Sequence, residues 1–182
     1  MAGRIDGGEG NDTVVGSQYA DDIWGKYGVN VLQGNAGEDT LIGGEQSDSL
    51  YGGSHDDLIV ADKEWLQELQ WPGSVGPFGM RGNDLLFGGD GQDTMYGAWI
   101  SDALHGGGGD DDLYGGAGND LVRGGAGNDL VMGDEGNDTL YGNANSDEMH
   151  GGFADDNMYG GSGDDTLYGG SQNDSIAGGR GA

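Results

Sequence analysis

The sequence predicts an all-β fold, a parallel β-roll (β-solenoid) in which two nine-residue repeats make each coil. Three observations predict it. Glycine stands at every ninth position from Gly7 to Gly52 and again from Gly79 to Gly178, aspartate follows nearly every such glycine after five residues, and an aliphatic residue follows two residues later. In this register the chain divides into seventeen nonapeptides, six over residues 7–60 and eleven over residues 79–177. We number the positions of each repeat from its recurring glycine.

Each repeat is predicted to be a six-residue turn followed by a three-residue strand. Glycine is frequent at positions 1, 2 and 4, and it reaches the positive φ angles that a Cβ disfavours. In positions 7 to 9 the two-residue strand period directs position 8 inward and its neighbours outward. Such a strand buries its inner face only if coils stack, with repeat i beside repeat i+2. The aliphatic position 8 residues are then the core between two parallel sheets: Val14, Ile23, Leu32, Leu41, Leu50, Ile59, Leu86, Met95, Leu104, Leu113, Val122, Val131, Leu140, Met149, Met158, Leu167 and Ile176.

Residues 61–78 are the stretch that does not follow the repeat. Their length is that of two nonapeptides, so the repeats resume in phase. Asp62 is expected to cap a short helix that runs through Gln70, and Pro72 follows soon after its end. We predict a single domain over residues 1–182 with this helix and loop as an insertion. We interpret the insertion as a lid on the roll, and a contact surface for a partner is the alternative.

Composition limits the possible functions. The chain has 33 Asp and Glu residues against 6 Lys and Arg, a net charge of −27, and 44 of its 182 residues are glycine. A chain of this kind repels itself and loses much backbone entropy on folding, so it needs another source of stability. The absence of cysteine excludes disulfides and thiolate metal sites. Nucleic acid is not an expected partner without a basic face, and no apolar stretch approaches a membrane span.

The acidic residues are spaced to bind a hard cation. Stacking brings the position 6 side chains of neighbouring coils together, which is unfavourable unless a cation lies between them. Carboxylate and carbonyl oxygens in a flexible loop favour Ca²⁺ over Mg²⁺. The odd repeats are predicted to share one ladder of metal ligands: Asp12, Asn30, Asp48, Asp84, Asp102, Asp120, Asp138, Asp156 and Asp174. The even repeats are predicted to share the other: Asp21, Asp39, Asp57, Asp93, Asp111, Asp129, Asp147 and Asp165.

The repeat count predicts the calcium load. Seventeen repeats paired i to i+2 allow at most 17 − 2 = 15 sites, and 13 if the insertion removes two. Thirteen divalent ions add +26 against the chain's −27, so we expect about 13–15 ions. Sites beside the uncharged Asn30 are expected to be weaker. Turns without glycine at position 4 are candidates for spacers, that is, turns that bind no calcium, because a Cβ strains that backbone. The position 4 residues of these turns are Tyr19, Gln46, His55, Ile100, Asn145, Ala154 and Gln172.

The nonapeptide has the pattern G-G-x-G-x-D-x-U-x, where U is aliphatic. Six repeats carry the full turn pattern: GGEGND at Gly7, GGDGQD at Gly88, GGGGDD at Gly106, GGAGND at Gly115 and Gly124, and GGSGDD at Gly160. In this pattern the chain resembles the RTX family of hemolysin-type calcium-binding repeats over almost its whole length. The resemblance implies that carbonyls of turn glycines complete each calcium shell: Gly8, Gly10, Gly89, Gly91, Gly107, Gly109, Gly116, Gly118, Gly125, Gly127, Gly161 and Gly163.

The resemblance also implies a function. RTX repeats belong to secreted, extracellular bacterial proteins that leave by type I secretion, unfolded in the low calcium of the cytosol and folded in the higher calcium outside. The chain is therefore expected to be a structural and secretion module and not an enzyme, since it has no H-E-x-x-H or G-x-S-x-G motif. Two alternatives stay open. One is the accessory C-terminal part of an RTX protease, lipase or epimerase, and the other is an adhesive or self-assembling filament protein built from rolls stacked end to end.

Overall fold

The structure is a computed structural model that describes residues 4–61 and 82–181. Within these ranges the chain forms eighteen β-strands and no helix. The strands are β1 (Arg4–Gly8), β2 (Thr13–Val15), β3 (Asp22–Lys26), β4 (Val31–Ala36), β5 (Thr40–Gly44), β6 (Ser49–Ser54), β7 (Leu58–Val60), β8 (Leu85–Asp90), β9 (Thr94–Trp99), β10 (Ala103–Gly108), β11 (Asp112–Ala117), β12 (Leu121–Ala126), β13 (Leu130–Glu135), β14 (Thr139–Ala144), β15 (Glu148–Phe153), β16 (Asn157–Ser162), β17 (Thr166–Ser171) and β18 (Ser175–Arg180).

The strands form two parallel sheets of nine strands each. The odd-numbered strands make one sheet and the even-numbered strands the other, and each strand pairs with the strand two further along the chain. In β10 and β12, for example, Leu104 lies opposite Val122, eighteen residues later. Because successive strands alternate between the sheets, two repeats complete one coil. The predicted all-β parallel β-roll is confirmed.

The strands are longer than the three residues that the sequence predicts. Most contain six, because pairing continues through positions 1 to 3 of the next repeat. Gly107 lies opposite Gly125, and Gly108 opposite Ala126. Successive coils repeat the same backbone, so their amide groups stay in register even where φ is positive. The repeat also begins earlier than predicted, since Ile5 in β1 lies opposite Ile23 and occupies a position 8.

The position 8 side chains fill the space between the sheets. Every one from Ile23 to Met158 is completely buried. Ile5, Val14 and Leu167 pack against this column and are partly buried, and Ile176 is 50% exposed. The column is one residue wide, so each coil contributes two aliphatic side chains and depends on its neighbours to bury them.

A stack of rings runs along the outer face of the even-numbered sheet at position 9. The ring centroids of Tyr51 and Phe87 are 5.2 Å apart, and those of Phe87 and His105 are 4.9 Å apart. Arg123 contacts His105 at 3.3 Å and continues the stack. On its other side the Arg123 guanidinium lies 5.2 Å from the ring centre of Tyr141, which stacks on Tyr159 at 4.9 Å. Contacts of this kind tie each coil to the next on the outside as the core does on the inside.

The coils on either side of the insertion stack directly on each other. Leu85 of β8 lies opposite Ser49 of β6, and Thr94 of β9 lies opposite Leu58 of β7. The predicted helix of the insertion, and with it the choice between lid and partner surface, lies outside the described residues. In the part of the chain that the structure describes, no helix has the length and apolar character needed to cross a membrane.

Shortening an inward side chain should cost far more stability than shortening an outward one. Leu113 in β11 is completely buried, whereas Leu121 in β12 points outward and is half-buried. We expect Leu113→Ala to lower the free energy of unfolding in saturating calcium by about 3 kcal/mol, because it leaves a cavity in the core column. Leu121→Ala should cost about 1 kcal/mol or less. Urea denaturation measures both losses, and equal losses would contradict the inward assignment of position 8.

Candidate calcium sites

The position 6 side chains form two columns that link each coil to the next. In the odd column the backbone N–H of Asp102 donates to Oδ1 of Asp120 at 2.8 Å, and Asp120 donates likewise to Asp138. In the even column the bond continues across the insertion, from the N–H of Asp57 to Oδ1 of Asp93 at 2.8 Å. Both predicted ladders are therefore brought together, residue by residue. The same bond joins every successive pair from Asp12 to Asp174 and from Asp21 to Asp165.

The second carboxylate oxygen, Oδ2, is buried and has no hydrogen-bond donor along most of both columns. This holds among the described residues for Asp12, Asp39, Asp57, Asp93, Asp111, Asp120, Asp129, Asp138, Asp147, Asp156 and Asp165. A buried oxygen acceptor without a donor costs free energy, and a buried carboxylate costs more. The described residues therefore supply neither a donor nor a positive charge to the Oδ2 atom of these turns.

The glycine at position 1 makes room for this oxygen. A Cβ added at Gly115 would lie 2.7 Å from Oδ2 of Asp120 and 3.0 Å from the carbonyl oxygen of Gly133. Gly115 does not have a positive φ. The sequence argument that glycine serves the turn through its φ angle is therefore wrong for position 1, where the reason is the close approach of a carboxylate and of the next coil.

Positive φ is the usual conformation at positions 2 and 4. All twelve glycines that the resemblance names as carbonyl ligands occupy these two positions, and all twelve have positive φ. Side chains at position 4 adopt the same conformation in His55 (φ 86) and Ile100 (φ 59), and the remaining ones that do so are Gln46, Asn145, Ala154 and Gln172. The turns proposed as spacers thus keep the backbone of the glycine turns, except at Tyr19.

Burial changes the acidity of the columns. Removal from water raises the pKa of Asp57, Asp111, Asp138 and Asp147 from 3.8 to about 7. The same cause raises the pKa of Asp93, Asp120 and Asp129 to about 6. The N–H bond from the preceding coil opposes the rise, and neighbouring carboxylates add to it. A bound divalent cation would act in the opposite direction and favour the ionised form.

Position 5 forms a second ladder that the sequence argument missed. The N–H of Asn128 donates to Oδ1 of Asp110 at 2.8 Å, and the N–H of Ser146 donates to Oδ1 of Asn128. These bonds run from the later coil to the earlier one, opposite to those of position 6. The available signal was the composition of position 5, which from Ser101 onward is always Ser, Asn or Asp. Ala20 and Val29 have no acceptor there, so this ladder is interrupted near the beginning of the roll.

The RTX calcium-binding nonapeptide repeat is the family whose model matches this chain. The family model describes four copies of the repeat, and its matches lie at residues 6–41, 33–63, 78–99, 101–131, 123–157 and 150–182. The chain belongs to this family. RTX repeats bind calcium, and the columns described above are the part of this roll that suits the ion. The comparison with curated proteins finds no relative that matches.

The residues present in this RTX roll fit calcium. Along most of both columns the buried Oδ2 oxygens of the described residues lack a donor. The carbonyl oxygens at position 4 face the next coil, where a Cβ at Gly109 would clash with the carbonyl of Gly91. Among the described residues no three acidic or histidine side chains converge on one point. A site here would therefore combine carboxylates of position 6 with main-chain carbonyls, which are ligands that Ca²⁺ accepts. The number of ions stays a prediction.

Acid should stabilise the calcium-free roll. The folded pKa values of about 6 to 7 lie above the ordinary value of 3.8, so the folded chain binds more protons than the unfolded chain between these limits. The stabilisation of the folded state by these extra protons is fully present below about pH 4 and is lost as the pH rises through 6 and 7. In excess chelator the β signal in circular dichroism should therefore increase from pH 8 to pH 5. A signal that stays constant or decreases would contradict the burial of these carboxylates.

Removal of one position 6 carboxylate should remove one ion and one bond between coils. Asp129→Ala deletes Oδ2 and also the Oδ1 that accepts the N–H of Asp111. We expect one calcium fewer by equilibrium dialysis, and a loss of about 2–3 kcal/mol in unfolding free energy in saturating calcium. The control is Asn128→Ala, which deletes an exposed position 5 acceptor and should leave the calcium count unchanged. Equal calcium counts for Asp129→Ala and the wild type would show that position 6 is not a ligand.

Proposed function

We propose that this RTX roll folds when it binds calcium and serves as a structural and secretion module of an extracellular bacterial protein. The observation that carries the proposal is the pair of columns of buried carboxylates, in which most Oδ2 atoms of the described residues lack a hydrogen-bond donor. In a chain with a net charge of −27, these columns make the calcium-free fold unfavourable. Bound calcium would remove both penalties, the missing donor and the repulsion between carboxylates.

Coupling of binding to folding follows from mass action. A ligand that binds only the folded state stabilises that state by RT ln(1 + [L]/Kd) at each site. Extracellular calcium modules have dissociation constants of roughly 10⁻⁴ to 10⁻³ M, far above the calcium concentration of the cytosol. With many sites in two continuous columns, the total stabilisation changes steeply with calcium. The chain would then stay unfolded inside the cell, pass through the export channel as an extended chain, and fold outside.

We propose no enzymatic activity for this chain. The support is that the position 6 carboxylates, the largest group of buried acids, already accept bonds from the preceding coil and direct their second oxygen toward the turn. Such a group binds a cation well and is poorly placed to act on a substrate. The roles as accessory part of an enzyme and as a filament protein concern the parent protein and its assembly. End-to-end self-association stays a prediction, which sedimentation velocity in saturating calcium tests.

A calcium titration tests the proposed function. In excess chelator at pH 8 the far-ultraviolet circular dichroism should be that of a mostly unfolded chain, and β structure should appear cooperatively as calcium is added. Magnesium at the same concentrations is the control, and it should leave the chain largely unfolded because it keeps its waters and requires a tighter octahedron. A folded spectrum in excess chelator at pH 8 would refute the coupling.

A further inference from the structure

Asn30 is the exception in the odd column, where an amide stands among carboxylates. It occupies the usual place between coils: its Oδ1 accepts the N–H of Asp12 at 3.0 Å, and its own N–H donates to Oδ1 of Asp48 at 2.7 Å. Its second atom, Nδ2, donates to the carbonyl oxygen of Gly28 at 3.1 Å. Gly28 is position 4 of the same turn, so the amide is bonded to the carbonyl class that the resemblance assigns to calcium.

The Nδ2 of Asn30 occupies the place that Oδ2 occupies in the aspartate repeats. A Cβ added at Gly25 would lie 2.6 Å from Nδ2 of Asn30, and a Cβ added at Gly115 would lie 2.7 Å from Oδ2 of Asp120. In an aspartate repeat two oxygen acceptors, Oδ2 and the position 4 carbonyl, therefore face the same space. Two acceptors need a cation between them, whereas an N–H donor bonds the carbonyl directly. The bonds from Asp12 and to Gly28 fix which amide atom is nitrogen.

The repeat before that of Asn30 also satisfies its position 6 side chain with a hydrogen bond inside its own turn. In residues 16–24 the N–H of Ser17 donates to Oδ2 of Asp21 at 2.6 Å, so this carboxylate oxygen has a donor within its own turn. Ser17 and Tyr19 hold positions 2 and 4, and neither has a positive φ, unlike Lys26 and Gly28 at the same positions of the next turn. The changed backbone directs the Ser17 amide toward the carboxylate.

We infer that residues 16–33, one full coil, close with their own hydrogen bonds and take no calcium at either position 6 residue. The inference rests on the calcium-coupled folding proposed above, because it concerns the coil in which the ion is replaced. Asn30 and Asp21 are the adjacent positions of the two columns, so both columns lose the ion at the same level of the roll. This coil is the one that retains its bonds when calcium is withdrawn, and the coil after it can stack on a surface that already exists.

The substitution Asn30→Asp tests the inference by restoring the usual carboxylate. We expect the variant to bind one more calcium ion per chain than the wild type in equilibrium dialysis. It should also need about twice the calcium concentration to reach the folding midpoint by circular dichroism, because a satisfied turn becomes dependent on the ion. Asn137→Asp is the matched control, since position 5 needs only an acceptor, which Asp supplies as it does at Asp110. The calcium count and the folding midpoint of Asn137→Asp should both equal those of the wild type.

The reverse substitution, Asp120→Asn, should place an amide that replaces the ion in an interior coil. Its new amide is placed to donate to the carbonyl of Gly118, so we expect one ion fewer and a folding midpoint at lower calcium. An unchanged calcium count in Asn30→Asp, or a higher midpoint in Asp120→Asn, would overturn the inference while leaving the proposed function intact. A wild-type chain that binds no calcium in the same dialysis would overturn both.

Discussion

The structure depends on how each position 6 carboxylate divides its two oxygens. Oδ1 accepts an N–H from the preceding coil, which makes the side chain part of the backbone ladder. Along most of both columns Oδ2 is then held in a buried place beside the position 1 glycine, where no donor from the described residues reaches it. The first bond contributes to stacking and the second oxygen opposes it, because burial of an unpartnered carboxylate is unfavourable. The backbone bonds of the roll are therefore made within the protein, whereas most of its buried carboxylates need a cation. Calcium is the ion that its family binds.

Neighbouring coils hold each other by bonds of opposite direction. Position 6 sends an N–H from the earlier coil to the later one, and position 5 receives an N–H from the later coil, as between Asn128 and Asp110. Neither coil can slide or rotate without breaking both kinds of bond. The position 5 bonds use exposed oxygens and need no ion, so they set the spacing of coils independently of metal. Their interruption at Ala20 and Val29 coincides with the coil whose position 6 residues are satisfied internally.

The fold was predictable because one nine-residue unit determines it. Position 8 is aliphatic in every repeat, and a strand with one inward side chain has to stack on its own kind. The pairing of Asp57 with Asp93 across the insertion followed from register alone. The bond from Ser17 to Asp21 could not be predicted from the register, since it depends on a changed φ angle that the residue types do not specify. Position 1 was interpreted wrongly for a related reason: a close approach involves atoms from another coil, and these are not neighbours in sequence.

The ring stack on the even-numbered sheet has a practical consequence. Tyr51, Phe87, His105, Arg123, Tyr141 and Tyr159 come from six different coils, and each contacts the next only when those coils are superposed. Isolated tyrosines in an unfolded chain give little near-ultraviolet dichroism, whereas rings fixed about 5 Å apart couple their transitions. The chain therefore contains its own spectroscopic gauge of superposition, read without a label and separate from the backbone signal.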